Sequence, residues 1–153
     1  MSKIDEALST FNYGVYIVSG KRGDKANGLT AAWVTRVSFD PALVAVSVGK
    51  TRHTHYFIKD GGAFAISVLA EGQQKIGHYF GSVSGRDEDK FARYPHESKK
   101  TGAPVISDCA AWIDCKLIHS YDAGDHTIFV GEIVDAGVSG KPALIFRDSD
   151  YWP

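Results

Sequence analysis

The chain has 153 residues, a formal net charge of −1 at neutral pH, and contents of 44% hydrophobic and 23% charged residues. This length suits a single domain over residues 1–153, and the balanced charge argues against nucleic acid or an anionic membrane as a partner. Residues 1–10 lack the apolar core of a signal peptide, and no apolar run approaches the roughly 20 residues of a membrane span. We therefore predict a cytoplasmic protein.

The first part of the chain has the pattern of consecutive β-strands. Residues 13–19 predict a strand, residues 20–25 its turn, and residues 29–39 the partner strand. Asp40-Pro41 ends that strand, because proline restricts its own φ and the conformation of the residue before it. A third strand is predicted over residues 42–48.

The third strand has two unlike faces. One face carries Val44, Val46 and Val48, and the other carries only the small residues Ala45, Ser47 and Gly49. Small residues let a flat ring lie close to the backbone, whose N–H and C=O groups can bind its polar edge. Together with residues 27–33, this face is a candidate site for a planar ligand. The alternative is an ordinary hairpin whose small residues fit a tight barrel interior.

Short helices and a long loop are predicted in the middle of the chain. Residues 54–60 predict a short helix, followed by a fourth strand at residues 63–69. Residues 73–80 predict another helix. Residues 81–100 are polar and rich in glycine, serine and charge, which predicts a long surface loop with a short helix near residues 87–93.

The C-terminal third returns to β structure. Residues 111–118 alternate in the pattern of a half-buried strand, with further strands at residues 127–134 and 143–146 and turns at residues 121–125 and 137–141. About six antiparallel strands with few helices predict a closed or nearly closed barrel.

The cysteines and histidines give little sign of a disulfide or a metal site. Cys109 and Cys115 lie six residues apart. On one strand their Cα atoms would be roughly 20 Å apart, too far for an intrachain disulfide, so we expect two small buried residues. His53 and His55 have no nearby cluster of carboxylates or cysteines, and no metal is predicted.

A segment with positive charge and hydroxyl groups, residues 49–54, follows the third strand. Lys50 and Arg52 supply the charge, and Thr51 and Thr54 supply hydroxyls, with Thr54 as the expected N-cap of the next helix. The free N–H groups at the helix start favour an anion, and arginine can bind phosphate through two parallel hydrogen bonds. The segment predicts a phosphate site. The alternative is a solvated basic loop with a helix cap.

A predicted turn passes into a strand at Asp125 and His126. An imidazole at this place can project from a barrel rim and act as an acid, a base or a ligand contact near neutral pH. The alternative is a turn-stabilising aspartate followed by a histidine that begins a strand. The sequence contains no GxSxG, P-loop or GxGxxG motif.

Four segments, in this order, carry a family resemblance. They are NGLTAAWVTRVSFDPALVAVSVGKTRHTHYFI at residues 27–58, FAISVL at residues 64–69, GDHTIFVGEIVDA at residues 124–136 and PALIFRDSDYW at residues 142–152. In order and spacing they resemble the flavin reductase-like family, the FMN-binding split barrels that include the flavoredoxins. The resemblance implies a mainly β fold, an antiparallel, Greek-key-like split β-barrel with a few short helices.

The resemblance also implies a flavin site and a homodimer. FMN, rather than FAD, would bind near the dimer interface, and NAD(P)H would be the co-substrate. The implied contacts are Thr30, Ala31, Ala32 and Trp33 for the ring, Ser47, Val48 and Gly49 for the ring edge and ribityl chain, and Lys50, Thr51, Arg52 and Thr54 for the phosphate. Asn27 belongs to the same cofactor-binding stretch, Phe80 and Lys90 would close the pocket from the long loop, and His126 would be the catalytic residue on the nicotinamide side.

Position 33 departs from the family pattern. Relatives often carry a small hydroxylated residue where this chain has Trp33, and a large ring there would narrow the nicotinamide pocket or stack on the flavin. Two functions therefore stay open: an NAD(P)H-dependent flavin reductase, or an FMN-containing electron carrier reduced by a redox protein partner with little direct NAD(P)H activity. A third alternative is a barrel that binds another flat ligand, such as haem or pyridoxal phosphate.

Overall fold

The computed structural model describes residues 1–151. Its helices are α1 (Lys3–Leu8), α2 (His53–Gly61), α3 (Gln74–Ser82) and α4 (Asp148–Tyr151), with one turn of 3₁₀-helix at Lys90–Ala92. Its strands are β1 (Tyr16–Arg22), β2 (Lys25–Ala31), β3 (Val34–Ser38), β4 (Leu43–Gly49), β5 (Ala63–Val68), β6 (His96–Ser98), β7 (Pro104–Ile106), β8 (Ala111–Ala123) and β9 (His126–Val138).

Seven strands form one antiparallel sheet in the order β2-β1-β5-β8-β9-β4-β3, and β6 and β7 form a separate pair. The edge strands β2 and β3 are consecutive in the chain, and only Ala32 and Trp33 lie between them. The two edges of the sheet therefore meet at this link, although no ladder joins them in the described part of the chain. This is the predicted mainly β split barrel, and its split lies between β2 and β3.

One hydrophobic core fills the barrel. Its members come from six strands and from α2, and a core shared in this way requires the sheet to curl around it. They are Val18, Leu29, Ala31, Val44, Val46, Val48, Ile58, Phe64, Ile66, Cys115 and Phe129. The valine face predicted for β4 thus lies in the barrel. Full burial of one large apolar side chain contributes roughly 1.5–3 kcal/mol.

A second core lies on the other face of β1, because side chains alternate along a strand. Val18 belongs to the barrel core and its neighbour Ile17 to the second core, and both are fully buried. The second core also contains Phe80 of α3 and Phe91 of the 3₁₀ turn. These contacts hold α3 and the 3₁₀ turn against the barrel, beside the split.

The strand boundaries in the first half differ from the prediction. The first turn is shorter, since β1 continues to Arg22 and β2 begins at Lys25, with Gly23 between them at φ +62°. The single strand predicted at residues 29–39 is interrupted by the β2–β3 link, because the chain there crosses from one edge of the sheet to the other. The break at Asp40-Pro41, whose peptide bond is cis, is confirmed.

The second half also differs in detail. β8 and β9 are longer than predicted, and the turn between them is only Gly124 and Asp125. Residues 143–146 form isolated bridges instead of a strand. α1 and the β6–β7 pair were not predicted; α1 begins with a capping box in which Ser2 Oγ accepts from Asp5 N at 3.1 Å.

Both cysteines are free and buried, as expected. Burial raises the pKa of the Cys115 thiol to about 12, so this thiol stays protonated at physiological pH.

Among residues 1–151, none of the helices has the length and apolar character needed to cross a membrane.

Candidate functional site

Two connected cavities lie along the split. The first, here called the ring slot, lies among the β2–β3 link, β4, the start of β9 and α3, and is lined by Thr30, Ala31, Ala32, Trp33, Ser47, Gly49, Gly77, His78, His126 and Phe146. The second, the anion pocket, lies between α2 and the segment after α3, and is lined by Asn27, Thr51, His53, Thr54, Ser82, Ser84, Gly85, Arg86 and Lys90. Arg52, Gly81 and Ser82 border both cavities, so one ligand can extend through them.

The ring slot is bordered by small residues. Gly77 and Gly81 are one turn apart on α3, and Thr30 Oγ1 of β2 donates a hydrogen bond to the Gly77 carbonyl at 2.5 Å. A Cβ on Gly81 would lie 3.4 Å from Thr30 Cβ. At the end of β4, a Cβ on Gly49 would come within 3.2 Å of Arg52 Cγ. A side chain at Gly81 or Gly49 would therefore meet Thr30 or Arg52 at the border of the slot.

Trp33 and His126 close one side of the ring slot. The Trp33 carbonyl accepts a hydrogen bond from Ser47 N at 3.0 Å, whereas its side chain is 51% exposed. The indole lies against the imidazole, with ring centroids 4.8 Å apart and an angle of 41° between the planes. His126 Nδ1 is 2.6 Å from Asp125 Oδ1. Because a carboxylate only accepts, Nδ1 is the donor, and Nε2 stays available on the Gly49 side.

The hydrogen bond from His126 lowers the pKa of the Asp125 carboxyl below its usual value, and the charge of the imidazolium acts in the same direction. Asp125 is therefore ionised at neutral pH and holds the imidazole in one orientation. Because the Asp125 carboxylate is exposed to solvent, this ion pair adds little to folding stability. Its role is to orient the imidazole ring.

Three cations, Arg52, Arg86 and Lys90, line the anion pocket, and no carboxylate from residues 1–151 lines it. The Lys90 side chain is buried, and Nζ donates hydrogen bonds to the carbonyls of Gly28 at 2.8 Å and Phe80 at 2.9 Å. One ammonium hydrogen remains for a ligand. Positive charges gathered without a counter-ion repel one another, so the pocket favours an anion.

The pKa values in the anion pocket are lowered mainly by burial, with neighbouring positive charge as a further cause for Lys90 and His53. Burial, and then the charge of Arg52, lower the pKa of Lys90 to about 8. Burial lowers the pKa of Arg52, and burial followed by the charge of Arg86 lowers the pKa of His53. Each shift disfavours the protonated form, and a bound anion would reverse that direction.

Neutral groups build the frame of the anion pocket. Asn27 Nδ2 of β2 donates a hydrogen bond to Thr54 Oγ1 of α2 at 2.9 Å, and both side chains are buried. Gly85 packs so closely on Asn27 that an added Cβ would overlap the amide group. The predicted N-cap role of Thr54 is wrong, because α2 begins at His53 with Arg52 as N-cap, and Thr54 instead ties the helix to the barrel.

Most of the residues singled out from the sequence converge on these cavities, but three side chains do not. Val48 is buried in the barrel core, so only its backbone follows the slot. Lys50 forms an ion pair with Asp122 of β8 and lines neither cavity. Phe80 lies on α3, not in a loop, and is fully buried in the second core.

The contribution of α3 and the segment that follows it was not predicted from the sequence. Gly81, Ser82, Ser84, Gly85 and Arg86 all border the site. The signal was the run GSVSGR, whose small, hydroxylated and basic residues suit an anion site. A surface-loop prediction for residues 81–100 overlooks that composition.

A metal is not indicated by the two histidines of α2. Among the described residues, no group of three His, Cys, Asp or Glu side chains is placed to hold a metal ion. His53 lines the anion pocket, whereas His55 Nε2 lies 2.8 Å from Thr127 Oγ1 of β9. Residues two apart on a helix do not share a face, which explains why the two rings diverge.

Comparison with known protein sequences indicates the family to which this chain belongs. The model of the flavin reductase like domain matches residues 8–152. The high molecular weight rubredoxin of Moorella thermoacetica is 41% identical over 141 residues, which cover 90% of this chain and 62% of that protein. The chain thus spans less than two thirds of the length of this relative.

Solved structures agree with the sequence comparison. The NADH:FAD oxidoreductase of Streptomyces globisporus has a TM-score of 0.88 and 31% identity, with 95% of this chain and 87% of that chain covered. An FMN-binding protein from Thermus thermophilus has a TM-score of 0.85 and 28% identity, with 92% and 85% covered. On the match over residues 8–152 and the shared fold, the chain belongs to the flavin reductase-like family.

Proposed function

We propose that this protein binds FMN along the split and transfers hydride from NAD(P)H to the flavin, which then passes electrons to an acceptor. The observation that carries the proposal is the order of the cavities, a slot bordered by small residues followed by a pocket with three cations and no carboxylate among the described residues. FMN has the same order of parts, a flat ring followed by a phosphate.

The residues present fit this cofactor. Backbone and small side chains of Thr30, Ala31, Ala32, Ser47, Val48 and Gly49 are proposed to contact the ring, its edge and the ribityl chain. Thr51, Arg52, Thr54 and Lys90, with Ser82, Ser84 and Arg86 added from the structure, are proposed to surround the phosphate. Arginine guanidinium groups suit this task because their N–H groups match phosphate oxygens in pairs.

The bound flavin would supply the electron-accepting ring, and NAD(P)H the hydride. This transfer needs no acid or base from the protein, so the chain's own residues bind, orient and exclude water. His126, oriented by Asp125, is proposed to contact the nicotinamide through Nε2. Trp33 is proposed to cover the same side of the slot until the nicotinamide enters.

A homodimer is proposed, with the split near the interface. Trp33, Val37 and Phe39 lie at or next to the edge strand β3 and are 51%, 50% and 83% exposed. Apolar side chains on a sheet edge favour burial against another chain, and a second copy would also shield the slot from water. Sedimentation velocity checks this; a monomer at micromolar concentration contradicts it. A cytoplasmic location stays a prediction.

The contact between the Trp33 and His126 rings favours a second candidate function, an FMN-containing electron carrier. If the indole keeps nicotinamide out of the slot, the flavin must be reduced by a protein partner. The relative from Moorella thermoacetica, named as a rubredoxin, is itself a redox protein by name. This candidate shares the flavin site with the first and differs only in the electron donor.

One experiment separates these functions. The purified protein is loaded with FMN and mixed anaerobically with NADH or NADPH while the flavin absorbance is followed. Rapid bleaching by either nucleotide supports the reductase, and a flavin spectrum that neither nucleotide changes supports the carrier. A haem or pyridoxal phosphate spectrum in the purified protein would contradict both.

A further inference from the structure

The Lys90 amine borders the anion pocket and is held in one position by two backbone carbonyls. Nζ donates hydrogen bonds to the carbonyls of Gly28 on β2 and Phe80 on α3, at 2.8 and 2.9 Å. The residues beside these acceptors, Asn27 and Gly81, line the pocket together with Lys90 itself. Because the Lys90 side chain is only 2% exposed, a reagent reaches its amine through the pocket.

An amine held in this way becomes a directed nucleophile when it loses a proton. The neutral amine keeps two hydrogens, which satisfy the two carbonyls, and its lone pair takes the direction of the third hydrogen, away from both acceptors. Burial, followed by the charge of Arg52, lowers the pKa of Lys90 to about 8. About a tenth of this amine is therefore neutral at pH 7, compared with less than about one part in a thousand for an ordinary lysine.

The walls of the pocket are suited to a phosphate group that carries an electrophile. Arg52 and Arg86 supply two guanidinium groups, and Arg86 Nη2 donates a hydrogen bond to the Thr51 carbonyl at 3.4 Å, which holds its side chain beside the pocket. The hydroxyl groups of Ser82 and Ser84 border the same space. Two cations can bind a phosphate and stabilise the charge that it gains as a leaving group.

We propose that Lys90 is a modification site for small acyl phosphates, which bind in the flavin-free anion pocket through their phosphate and transfer the acyl group to the amine. Nζ attacks the carbonyl carbon and forms a C–N bond, while the bond between that carbon and the bridging phosphate oxygen breaks. The electron pair of the broken bond and the proton lost from nitrogen go to the phosphate, which leaves as hydrogen phosphate. The transfer needs no oxidant, reductant or further reactant.

The modification regulates the pocket by removing one of its cations. The amide nitrogen has no positive charge and a single hydrogen, so one of the two carbonyls also loses its donor. The modified protein should therefore bind FMN more weakly, and bound FMN should protect Lys90 from acylation. The acylation needs only the pocket, whereas its effect on FMN rests on the proposed function.

The test is incubation of the flavin-free protein with acetyl phosphate, followed by mass spectrometry of peptides. Cleavage after glutamate releases residues 89–97, in which Lys90 is the one lysine, and residues 72–88, in which Lys75 is the one lysine. Lys75 is exposed on α3 and serves as the internal reference. Acetic anhydride, an acetyl donor without a phosphate, is the matched reagent.

Two arginine variants test the role of the phosphate. Arg86→Ala removes a guanidinium from the pocket, and Arg22→Ala removes an exposed arginine that is paired with Asp60 outside it. With acetyl phosphate, Arg86→Ala should slow acetylation of Lys90 about tenfold, because a hydrogen bond to a charged group is lost, and Arg22→Ala should change the rate less than about twofold. With acetic anhydride, both variants should stay within about twofold of the wild type.

In the wild type, acetyl phosphate is expected to modify Lys90 at least about tenfold faster than Lys75, because more of its amine is neutral and the donor is bound beside it. Saturating FMN should stop the reaction at Lys90 and leave Lys75 unaffected. In fluorescence titrations, the acetylated protein should bind FMN at least about tenfold more weakly than the unmodified protein.

Three results would overturn the inference: equal rates at Lys90 and Lys75, no greater slowing in Arg86→Ala than in Arg22→Ala, or the same slowing of Arg86→Ala with acetic anhydride. Unchanged FMN affinity after acetylation would contradict the regulatory effect. A wild-type protein that is acetylated at Lys90 and binds no FMN would remove the proposed function and leave the modification site standing.

Discussion

The Trp33 indole lies on the His126 imidazole, with 4.8 Å between the ring centroids, at the side of the slot proposed for nicotinamide. The Trp33 backbone is held by Ser47, while the indole is about half exposed and can rotate without disturbing the sheet. A pair of aromatic rings contributes about 0.5–1.5 kcal/mol beyond its burial. If the two rings must separate before nicotinamide enters, the free-energy cost of separating them would slow access by roughly two- to tenfold.

Trp33→Ser should increase the rate at which NADH bleaches the FMN-loaded protein by about that factor, because no ring has to leave His126. The measurement is anaerobic stopped-flow absorbance at saturating FMN. Trp33→Phe keeps a ring and should stay close to the wild type. A Trp33→Ser protein that is reduced no faster than the wild type contradicts the covering role of the indole.

Arg52 and Lys50 provide a matched pair of neighbouring cations. Arg52 lines both cavities, whereas Lys50 is engaged by Asp122. Arg52→Ala should weaken FMN about 10- to 100-fold, since a hydrogen bond to a charged group contributes about 1.5–3 kcal/mol. Lys50→Ala should change the affinity less than about twofold, because it breaks only a partly exposed ion pair. Equal losses in the two variants, measured by fluorescence titration, would count against the phosphate assignment.

The pKa of Lys90, about 8, predicts a pH dependence for FMN binding. A phosphate favours the protonated amine, so affinity should be flat below pH 8 and fall above it by up to about tenfold per pH unit. Without flavin, Lys90 contributes a rise in folding stability with pH from about 8 to 10.5, because in that window the unfolded chain keeps a proton that the folded chain has lost.

FMN titrations at about six pH values between pH 7 and pH 9.5 would show the predicted fall in affinity. Lys90→Met keeps a long side chain without the charge and should give a flat profile across the same range. The idea fails if the wild-type profile is as flat as that of the variant.

Gly85→Ala should weaken FMN by about tenfold, because the added Cβ would displace the Asn27 amide and break its hydrogen bond to Thr54. Isothermal titration calorimetry measures the affinity, and circular dichroism checks that the barrel remains folded. Wild-type affinity in a folded variant would show that the Asn27–Thr54 contact is dispensable.

Alternation along β4 was sufficient to predict two unlike faces, because the side-chain period of a strand is strict. That the valine face lies in the barrel core while Ser47 and Gly49 border the ring slot is visible only in the structure. The split itself was not visible in residues 29–39, since both halves have the composition of a strand. What divides them is the crossing from one sheet edge to the other at Ala32 and Trp33, a tertiary event with no local turn signal.

The basic segment before α2 borders the pocket that we propose for a phosphate, but the sequence could not separate Arg52 from Lys50. Their different roles depend on Asp122, a residue 72 positions further along the chain from Lys50. Arg86 was hidden in the sequence, whereas Lys90 was named from the family resemblance as a residue that closes the pocket; the second core holds α3 and the 3₁₀ turn beside the split.

The central claim, that the anion pocket holds the flavin phosphate, is tested most directly by comparing FMN with riboflavin, which lacks the phosphate, in equilibrium titrations of the wild-type protein. We predict that FMN binds at least about 100-fold more tightly, because several charged hydrogen bonds are available only to the phosphate. Equal affinities for the two flavins would contradict the claim.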